Sequence, residues 1–174
     1  MSQVRPGLDI VMTGWAGLTE SQRLAVVCRE ALEKRLPSAL LNRLRDLPEE
    51  QAAADGEVLR DVCRIQPHGD EDLAEEMAVI PVEQGGILEA LWNLAELADC
   101  GLNVSMNLIP VRQETIEVCE VLDVNPYQIP AGCSVYLTEN GFGHPGRVIG
   151  QTHAGKARTV TGYEGIRYLD KPRH

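Results

Sequence analysis

Two adjacent glycines, Gly85 and Gly86, stand immediately before the most clearly amphipathic segment of the chain. From there to position 98 the apolar side chains recur at the i, i+3, i+4, i+7 spacing of a single helix face. They are Ile87, Leu88, Leu91, Leu94, Ala95 and Ala98. A helix with one apolar face has to bury that face against another layer of structure. The segment therefore predicts a layered domain.

The glycine pair itself allows two interpretations. Glycines before a helix let an anion approach the free N–H groups of the first turn, where the helix dipole also favours negative charge. Gly85 and Gly86 are therefore a candidate phosphate-binding site. The same dipeptide is also common as a simple tight turn into a helix, and the neighbouring carboxylate of Glu83 would repel a phosphate.

Short apolar segments alternate with helical patterns along the rest of the chain. Strands are predicted at residues 8–13, 77–82, 102–106, 133–137, 147–152, 157–161 and 166–169. Besides the helix after Gly86, helices are predicted from residue 19 to Pro37, at 38–47, 49–62 and 70–76, and after Pro110. This order predicts an α/β domain of the α+β layered kind.

Local signals refine three of the element boundaries. Residues 19–22 read Thr-Glu-Ser-Gln, which has the form of a capping box at the start of a helix. Pro110 suits the first turn of the helix that follows it. Asn140-Gly141 is a strong hairpin signal and predicts that the strands on either side of it pair with each other.

Residues 109–127 begin Ile-Pro-Val-Arg and end at Asn125-Pro126-Tyr127, and this segment resembles a sequence block of the AIR synthase superfamily. The strand-like segments at 7–13 and 148–150 are similar to the segments near the beginning and end of that superfamily's C-terminal domain. The superfamily includes aminoimidazole ribonucleotide synthase, thiamine-phosphate kinase, selenophosphate synthetase and the HypE-type hydrogenase maturation factors. The resemblance covers almost the whole chain and implies the mixed sheet with packed helices of this C-terminal domain.

The sequence differs from that superfamily in the motif that provides the superfamily's catalytic side chains. The superfamily's His-Asp-x-Thr-x-Gly-Gly motif falls on residues 80–86, so Ile80, Pro81 and Glu83 replace the histidine, aspartate and threonine. We also expect the N-terminal ATP-binding domain to be absent, because the resemblance to the C-terminal domain begins at residue 7. HypE-type factors end in a reactive cysteine, whereas this sequence ends in His174, so we do not expect that carrier role here.

Composition narrows the class of protein further. A chain of 174 residues suits a single domain, residues 1–174, that folds without disulfides or a metal. Its net charge of −10 argues against nucleic-acid binding. No apolar stretch approaches the length of a membrane helix, so we expect a cytoplasmic protein.

Five widely spaced cysteines without a C-x-x-C pair indicate free thiols, with Cys28 and Cys119 buried. No metal site or cofactor is expected. Among the histidines, only His144 and His153 could meet across a hairpin.

Two functions remain open. The first is a binding or assembly module without catalysis, acting as a homodimer or with another protein, in a pathway related to hydrogenase maturation. The second is one half of an ATP-dependent enzyme, with the nucleotide-binding domain on another chain and a phosphate seated at Gly85 and Gly86. The first is favoured because the acid–base residues of the superfamily motif are replaced.

Overall fold

Seven strands form one sheet in the computed structural model, which describes residues 6–47, 79–139, 141 and 146–172. The strands are β1 (Asp9–Met12), β2 (Val79–Pro81), β3 (Gly101–Ser105), β4 (Ser134–Thr138), β5 (Arg147–His153), β6 (Arg158–Gly162) and β7 (Gly165–Tyr168). The helices are α1 (Leu18–Val27), α2 (Arg29–Glu33), α3 (Ser38–Arg45), α4 (Gly86–Ala98) and α5 (Gln113–Leu122). In addition, single 3-10 turns lie at Met106–Leu108, after β3, and at Pro126–Gln128, after α5.

The sheet is mixed, in the order β2-β4-β1-β5-β3-β6-β7. All neighbouring strands run antiparallel except β3 and β6, which are parallel. Strand β1 lies inside the sheet because it pairs with β4 on one edge and with β5 on the other. Within the described residues, strands β2 and β7 form the two edges. The predicted α+β class and mixed sheet are confirmed.

One face of the sheet packs against α4. The first hydrophobic cluster combines alternate residues of the strands, such as Ile10, Val104 and Val135, with the apolar face of the helix. Five of the six residues predicted for that face are fully buried, and the sixth, Leu88, is partly buried against the cluster; the buried ones are Ile87, Leu91, Leu94, Ala95 and Ala98. The 3.6-residue period therefore predicted both the helix and the face that it buries.

A second hydrophobic cluster lies between α1, α2, α3 and α5. Its buried residues include Leu32, Leu41, Leu44 and Val118. A buried pair of hydroxyl groups joins α1 to α5, with Ser21 Oγ 2.9 Å from Thr115 Oγ1. Because Ser21 donates its hydroxyl proton to the carbonyl of Leu18 at 2.8 Å, Thr115 is left to donate to Ser21.

The opposite face of the sheet carries a small apolar patch and a polar one. Val11 and Tyr136 are fully buried there, and the chain returns over this face at Gly141, whose N–H donates to Asp9 Oδ2 at 3.0 Å. On β3 the Asn103 amide donates to two threonine hydroxyls of β6, as described for the edge of the sheet below.

Most predicted elements are confirmed to within one or two residues. Predicted strands at 8–13, 102–106, 133–137, 147–152, 157–161 and 166–169 correspond to β1, β3, β4, β5, β6 and β7. The helix predicted at 38–47 is α3, and the strand predicted at 77–82 is described from residue 79 as β2. The helices predicted at 49–62 and 70–76 lie outside the described residues. None of the helices in the described ranges is long and apolar enough to cross a membrane.

The predicted capping box is wrong. Helix α1 begins at Leu18 with Gly17 as its N-cap, and the Gln22 side chain donates to the carbonyl of Leu44 at 3.0 Å instead of reaching back along its own helix. The predicted single helix is also interrupted at Cys28, which has non-helical dihedral angles and separates α1 from α2. Cys28 is half-buried, not fully buried as predicted.

Two further boundary predictions are wrong for reasons of tertiary structure. Helix α5 begins at Gln113 rather than at Pro110, because the carbonyl of Pro110 accepts a hydrogen bond from Ala16 N at 2.8 Å and the chain stays extended to Arg112. The strands around Asn140-Gly141 do not pair with each other. Strand β1 lies between them and pairs with both β4 and β5; Asn140 itself lies outside the described residues.

Replacing Ser21 with alanine tests the hydroxyl pair. The buried Thr115 hydroxyl loses its acceptor in Ser21→Ala, so we expect the free energy of unfolding to fall by about 1 to 3 kcal/mol. The double variant Ser21→Ala/Thr115→Val removes both hydroxyls and should lose less than the sum of the two single variants. Urea unfolding of all four proteins measures this coupling, and strictly additive losses would contradict the assignment.

Candidate functional site

Gly85 and Gly86 lie at the start of α4, as predicted. Both have left-handed backbone conformations, with φ of 89° at Gly85 and 71° at Gly86, which glycine adopts without steric cost. Gly85 is the N-cap, and Gly86 N–H donates to the carbonyl of Glu83 at 2.9 Å. The glycine pair therefore makes a tight turn from β2 into the helix.

Gly86 also allows two stretches of backbone to touch. A Cβ atom at this position would overlap the carbonyl of Tyr127 and lie 2.6 Å from Ile129 N. We call residues 126–129 the bridging segment. Gly17, the N-cap of α1, approaches the same segment, since a Cβ there would lie 2.7 Å from the carbonyl oxygen of Pro126. The two glycines hold this segment between α1 and α4.

The bridging segment belongs to the block that carries the sequence resemblance. Asn125 caps its 3-10 turn by accepting a hydrogen bond from Tyr127 N at 2.9 Å, and Pro126 occupies the first position of that turn. The two sequence features that the resemblance shares with the AIR synthase superfamily, the glycine pair and the Asn-Pro turn, are thus in direct contact. Their distance in sequence gave no indication of this.

Carboxylates surround the predicted phosphate seat. The side chain of Glu89, one turn into α4, folds back over Gly85 and occupies the space that a side chain at Gly85 would fill. Glu83 lies on the other side of the turn. A carboxylate near the N-terminus of a helix is stabilised by the same dipole that would attract a phosphate. An anion at Gly85 and Gly86 therefore has to compete with Glu89, and the seat stays a prediction.

Two grooves flank the start of α4. The mixed-charge groove has a volume of about 830 Å³; it is lined by Gly85 and Gln128 and by the charged side chains of Glu89, Arg167, Asp170 and Lys171. The acidic groove, of about 640 Å³, runs along β2 and α4 and is lined by Glu83, Glu89 and Glu96 without a basic residue. Of the described residues that line these two grooves, the basic ones are Arg167 and Lys171, and both line the mixed-charge groove.

The positions of the replaced motif residues have no acid–base chemistry. Ile80 is 8% exposed and belongs to the first hydrophobic cluster. Pro81 ends the edge strand β2, where the missing N–H of a proline is tolerated. Of the three, Glu83 alone carries a titratable group, and it lines the acidic groove.

The segment around Arg112 forms a surface cluster that sequence reasoning did not find. The Arg112 guanidinium lies 5.2 Å from the centre of the Trp15 ring and 3.3 Å from a Glu114 oxygen, and Arg43 of α3 approaches the same carboxylate at 3.8 Å. A hydrogen bond from its own backbone N–H and the nearby Arg112 and Arg43 lower the pKa of Glu114. Cation–π stacking and ion pairing together fix the start of α5 against α1 and α3.

Part of the basic C-terminal region pairs within the chain. Arg158 stacks over Trp92 at 4.5 Å from the ring centre and bonds to Glu96, while Lys156 lies 3.6 Å from Asp99. These contacts tie β6 and the turn before it to the exposed side of α4.

The described cysteines and histidines form no metal site. Among residues 6–47, 79–139, 141 and 146–172, no three His, Cys, Asp or Glu side chains converge. Cys119 is buried as predicted, and burial raises its pKa to about 11, so its thiol stays protonated. His153 ends β5, but its predicted neighbour His144 lies outside the described residues.

Comparisons with known proteins identify the class of fold. No family model matches the chain. Over 98% of its length the chain is similar to the crystal structure of E. coli HypE, with a TM-score of 0.67 and 20% identity. It also resembles thiamine monophosphate kinase from Aquifex aeolicus over 97% of its length, with a TM-score of 0.55 and 16% identity. Both proteins belong to the AIR synthase superfamily that the sequence resembles, so the predicted likeness to the fold of this superfamily is confirmed.

A curated protein of similar sequence is also a HypE protein. The chain is 26% identical over 139 residues to the carbamoyl dehydratase HypE of Rhodobacter capsulatus, a match that covers 70% of this chain and 39% of that protein. A HypE–HypF complex is similar as well, with a TM-score of 0.57 and 16% identity over 98% of the chain. The chain spans about half the length of the solved structures, 52% for E. coli HypE and 54% for the complex.

Substitution of Gly86 tests the contact with the bridging segment. Gly86→Val introduces both a strained φ and a collision with backbone, so we expect the free energy of unfolding to fall by more than the roughly 1 to 3 kcal/mol of backbone strain alone. Gly155→Val is the matched control, because Gly155 also has a positive φ (96°) but has open space around it. Chemical denaturation of the two variants compares them, and equal losses would mean that the contact contributes nothing.

Glu114→Gln tests the ion pairs at the start of α5. The lowered pKa means that the carboxylate stabilises the fold fully above its unfolded-state pKa and that this stability is lost as the pH falls through the folded-state pKa. We expect the variant to be less stable than the wild type by about 1 kcal/mol or less at neutral pH, and equally stable once the pH has fallen below the lowered folded-state pKa. Glu120→Gln, an exposed position on the same helix, is the control. A pH-independent difference in urea unfolding would exclude the ionic contribution.

Proposed function

We propose that this chain is a cytoplasmic single-domain binding or assembly module that does not itself carry out ATP-dependent catalysis. We place it in a pathway related to hydrogenase maturation. The curated relative and several structural neighbours are HypE proteins, which supports the choice of pathway. We propose that the module acts as a homodimer or with a protein partner.

One observation carries the proposal. Where the superfamily motif has histidine, aspartate and threonine, this chain has a core isoleucine, an edge-strand proline and a glutamate. Ile80 and Pro81 can neither transfer a proton nor bind a metal–phosphate complex. Ile80 instead contributes apolar area to the first hydrophobic cluster, so this position serves stability.

An assembly role is also consistent with the similar structures. A solved HypE–HypF complex contains a chain of similar fold, so a domain of this fold occurs in a protein assembly. The proposed module acts through a binding surface and not through a catalytic site. Exposed apolar side chains grouped on one side of a domain are the usual mark of such a surface.

The alternative is that the chain is one half of an ATP-dependent enzyme whose nucleotide-binding domain is on another chain. The mixed-charge groove favours this alternative, because Arg167 and Lys171 are close to the predicted phosphate seat at Gly85. Glu89 and Asp170 line the same groove and weaken the attraction for a phosphate. We therefore keep it as the second candidate.

Calorimetric titration with Mg·ATP separates the two candidates. For a non-catalytic module we expect no micromolar dissociation constant and no ATP hydrolysis, because cations and carboxylates balance in the mixed-charge groove. E. coli HypE, the structural relative, serves as the reference protein for the assay.

Two variants make a positive result interpretable. Lys171→Gln removes one cation from the groove, and Lys34→Gln removes an exposed lysine after α2 as the matched control. A micromolar constant that Lys171→Gln weakens and Lys34→Gln does not would refute the proposal and favour the enzyme half.

A further inference from the structure

The β6–β7 hairpin, residues 158–168, exposes a group of large side chains at one edge of the sheet. All four residues of β7 are exposed. Tyr163 in the turn is 100% exposed, Ile166 71% and Tyr168 73%. Tyrosine is enriched at protein interfaces, where it is often among the residues that contribute most to binding. We call β7 with its preceding turn the open edge.

The backbone of the open edge has hydrogen-bonding groups that point away from β6. Leu169 N–H donates to the carbonyl of Arg158 at 2.8 Å, and the register places Arg167 opposite Val160 and Gly165 opposite Gly162. In an antiparallel pair, hydrogen-bonded positions alternate with positions whose N–H and C=O groups face outward. The outward positions on β7 are therefore Ile166 and Tyr168, and both can pair with another strand.

The side chains of these two residues share a face with a polar surface. The register places Ile166 opposite Thr161 and Tyr168 opposite Thr159. The Asn103 amide donates to Thr159 Oγ1 at 2.7 Å and to Thr161 Oγ1 at 3.1 Å. The open edge thus combines apolar side chains, a fixed polar surface beside them and outward backbone groups that pair with no other strand in the described part of the chain.

We infer that two copies of this chain pair antiparallel through their β7 strands, with Ile166 on the two-fold axis, and extend the sheet across a homodimer. The inference rests on the assembly role proposed above and names its surface. It commits to a second copy because one symmetric register satisfies both the backbone and the charges. In a two-fold antiparallel pair, facing residues lie on the same side of the sheet, so the axis has to pass through a residue of the strand.

With Ile166 on the axis, the facing residues are complementary. Ile166 meets Ile166 of the second copy, Tyr168 meets Glu164, and Arg167 meets Gly165. The Ile166 pair uses outward backbone groups on both strands, and the Tyr168 hydroxyl can donate to the carboxylate of Glu164, which lies in the turn before β7. Cross-strand pairs of this kind stabilise a sheet, and none of them sets like charges opposite each other.

Two other registers, centred on Arg167 and on Tyr168, are less favourable. With Arg167 on the axis, two guanidinium groups would face each other at a closely spaced position and Glu164 would face Asp170. With Tyr168 on the axis, Ile166 would face a carboxylate, and Glu164 would face Pro172, which has no N–H to donate. Charge and hydrogen bonding therefore favour the register centred on Ile166 over these two.

Light scattering and sedimentation of the full chain test the inference from micromolar to millimolar concentration. The wild type should be a dimer, and Ile166→Arg, which places two guanidinium groups on the axis, should be a monomer with an unchanged thermal unfolding curve. Val27→Arg is the matched control, because Val27 is 67% exposed on α1 and should remain dimeric.

Cysteine crosslinking tests the register. A short bismaleimide should crosslink Ile166→Cys to itself, and should crosslink a mixture of the Glu164→Cys and Tyr168→Cys chains. Tyr168→Cys alone should react poorly, because its two copies would be about 13 Å apart. The wild type gives the background from the native cysteines.

The outcomes distinguish this surface from the broader proposal. A dimer that survives Ile166→Arg, or an Ile166→Cys chain that does not crosslink, would overturn the pairing through β7 and leave a dimeric module in place. A wild type that is monomeric throughout would overturn both the pairing and the homodimer proposed as its basis, while the ATP titration would still decide between module and enzyme half.

Discussion

The two hydrophobic clusters are connected by the contact of the bridging segment with Gly17 and Gly86. Gly17 begins α1, which belongs to the second cluster, and Gly86 begins α4, which covers the sheet in the first. The chain beyond the segment continues the contact, since the carbonyl of Pro130 accepts from Glu20 N and Ala131 N donates to the carbonyl of Val82. Backbone can approach backbone this closely only where no Cβ intervenes. The arrangement of the helices on the sheet therefore depends on two glycines that lie far apart in sequence.

The contact between Gly86 and the bridging segment also changes how the glycine pair is interpreted. The sequence allowed either a tight turn or a phosphate seat. The structure assigns Gly86 a steric requirement of its own, the overlap that any side chain would make with Tyr127 and Ile129. A glycine explained by packing gives no separate support to a ligand there. Anion binding has to be argued from the side chains of the mixed-charge groove, and there two cations are balanced by two carboxylates.

The sequence predicted an element correctly when the interactions that determine it involve residues close to it in the chain. The apolar period of α4 and the apolar segments of the strands depend on neighbours a few residues away, and they were predicted almost to the residue. The start of α1 depends on Pro126, the start of α5 on Ala16, and the pairing of β4 on β1, so local signals misplaced all three. At the candidate site, Gly85 and Gly86 were found by pattern. The stacking of Arg158 on Trp92 and its bond to Glu96 join residues more than sixty positions apart, and no local pattern reveals them.

The charges at the two ends of α4 bear on both the candidate phosphate site and the proposed assembly role. At the C-terminal end of the helix, Lys156 and Arg158 from the β5–β6 region neutralise Asp99 and Glu96, where cations also suit the helix dipole. At the N-terminal end, Glu89 already supplies the negative charge that the dipole favours. Charged side chains of the chain itself therefore lie at both ends of the helix, and an anion at the N-terminal end would have to compete with the Glu89 carboxylate. The sheet that this helix covers ends in β7, whose outward backbone groups can pair with another strand.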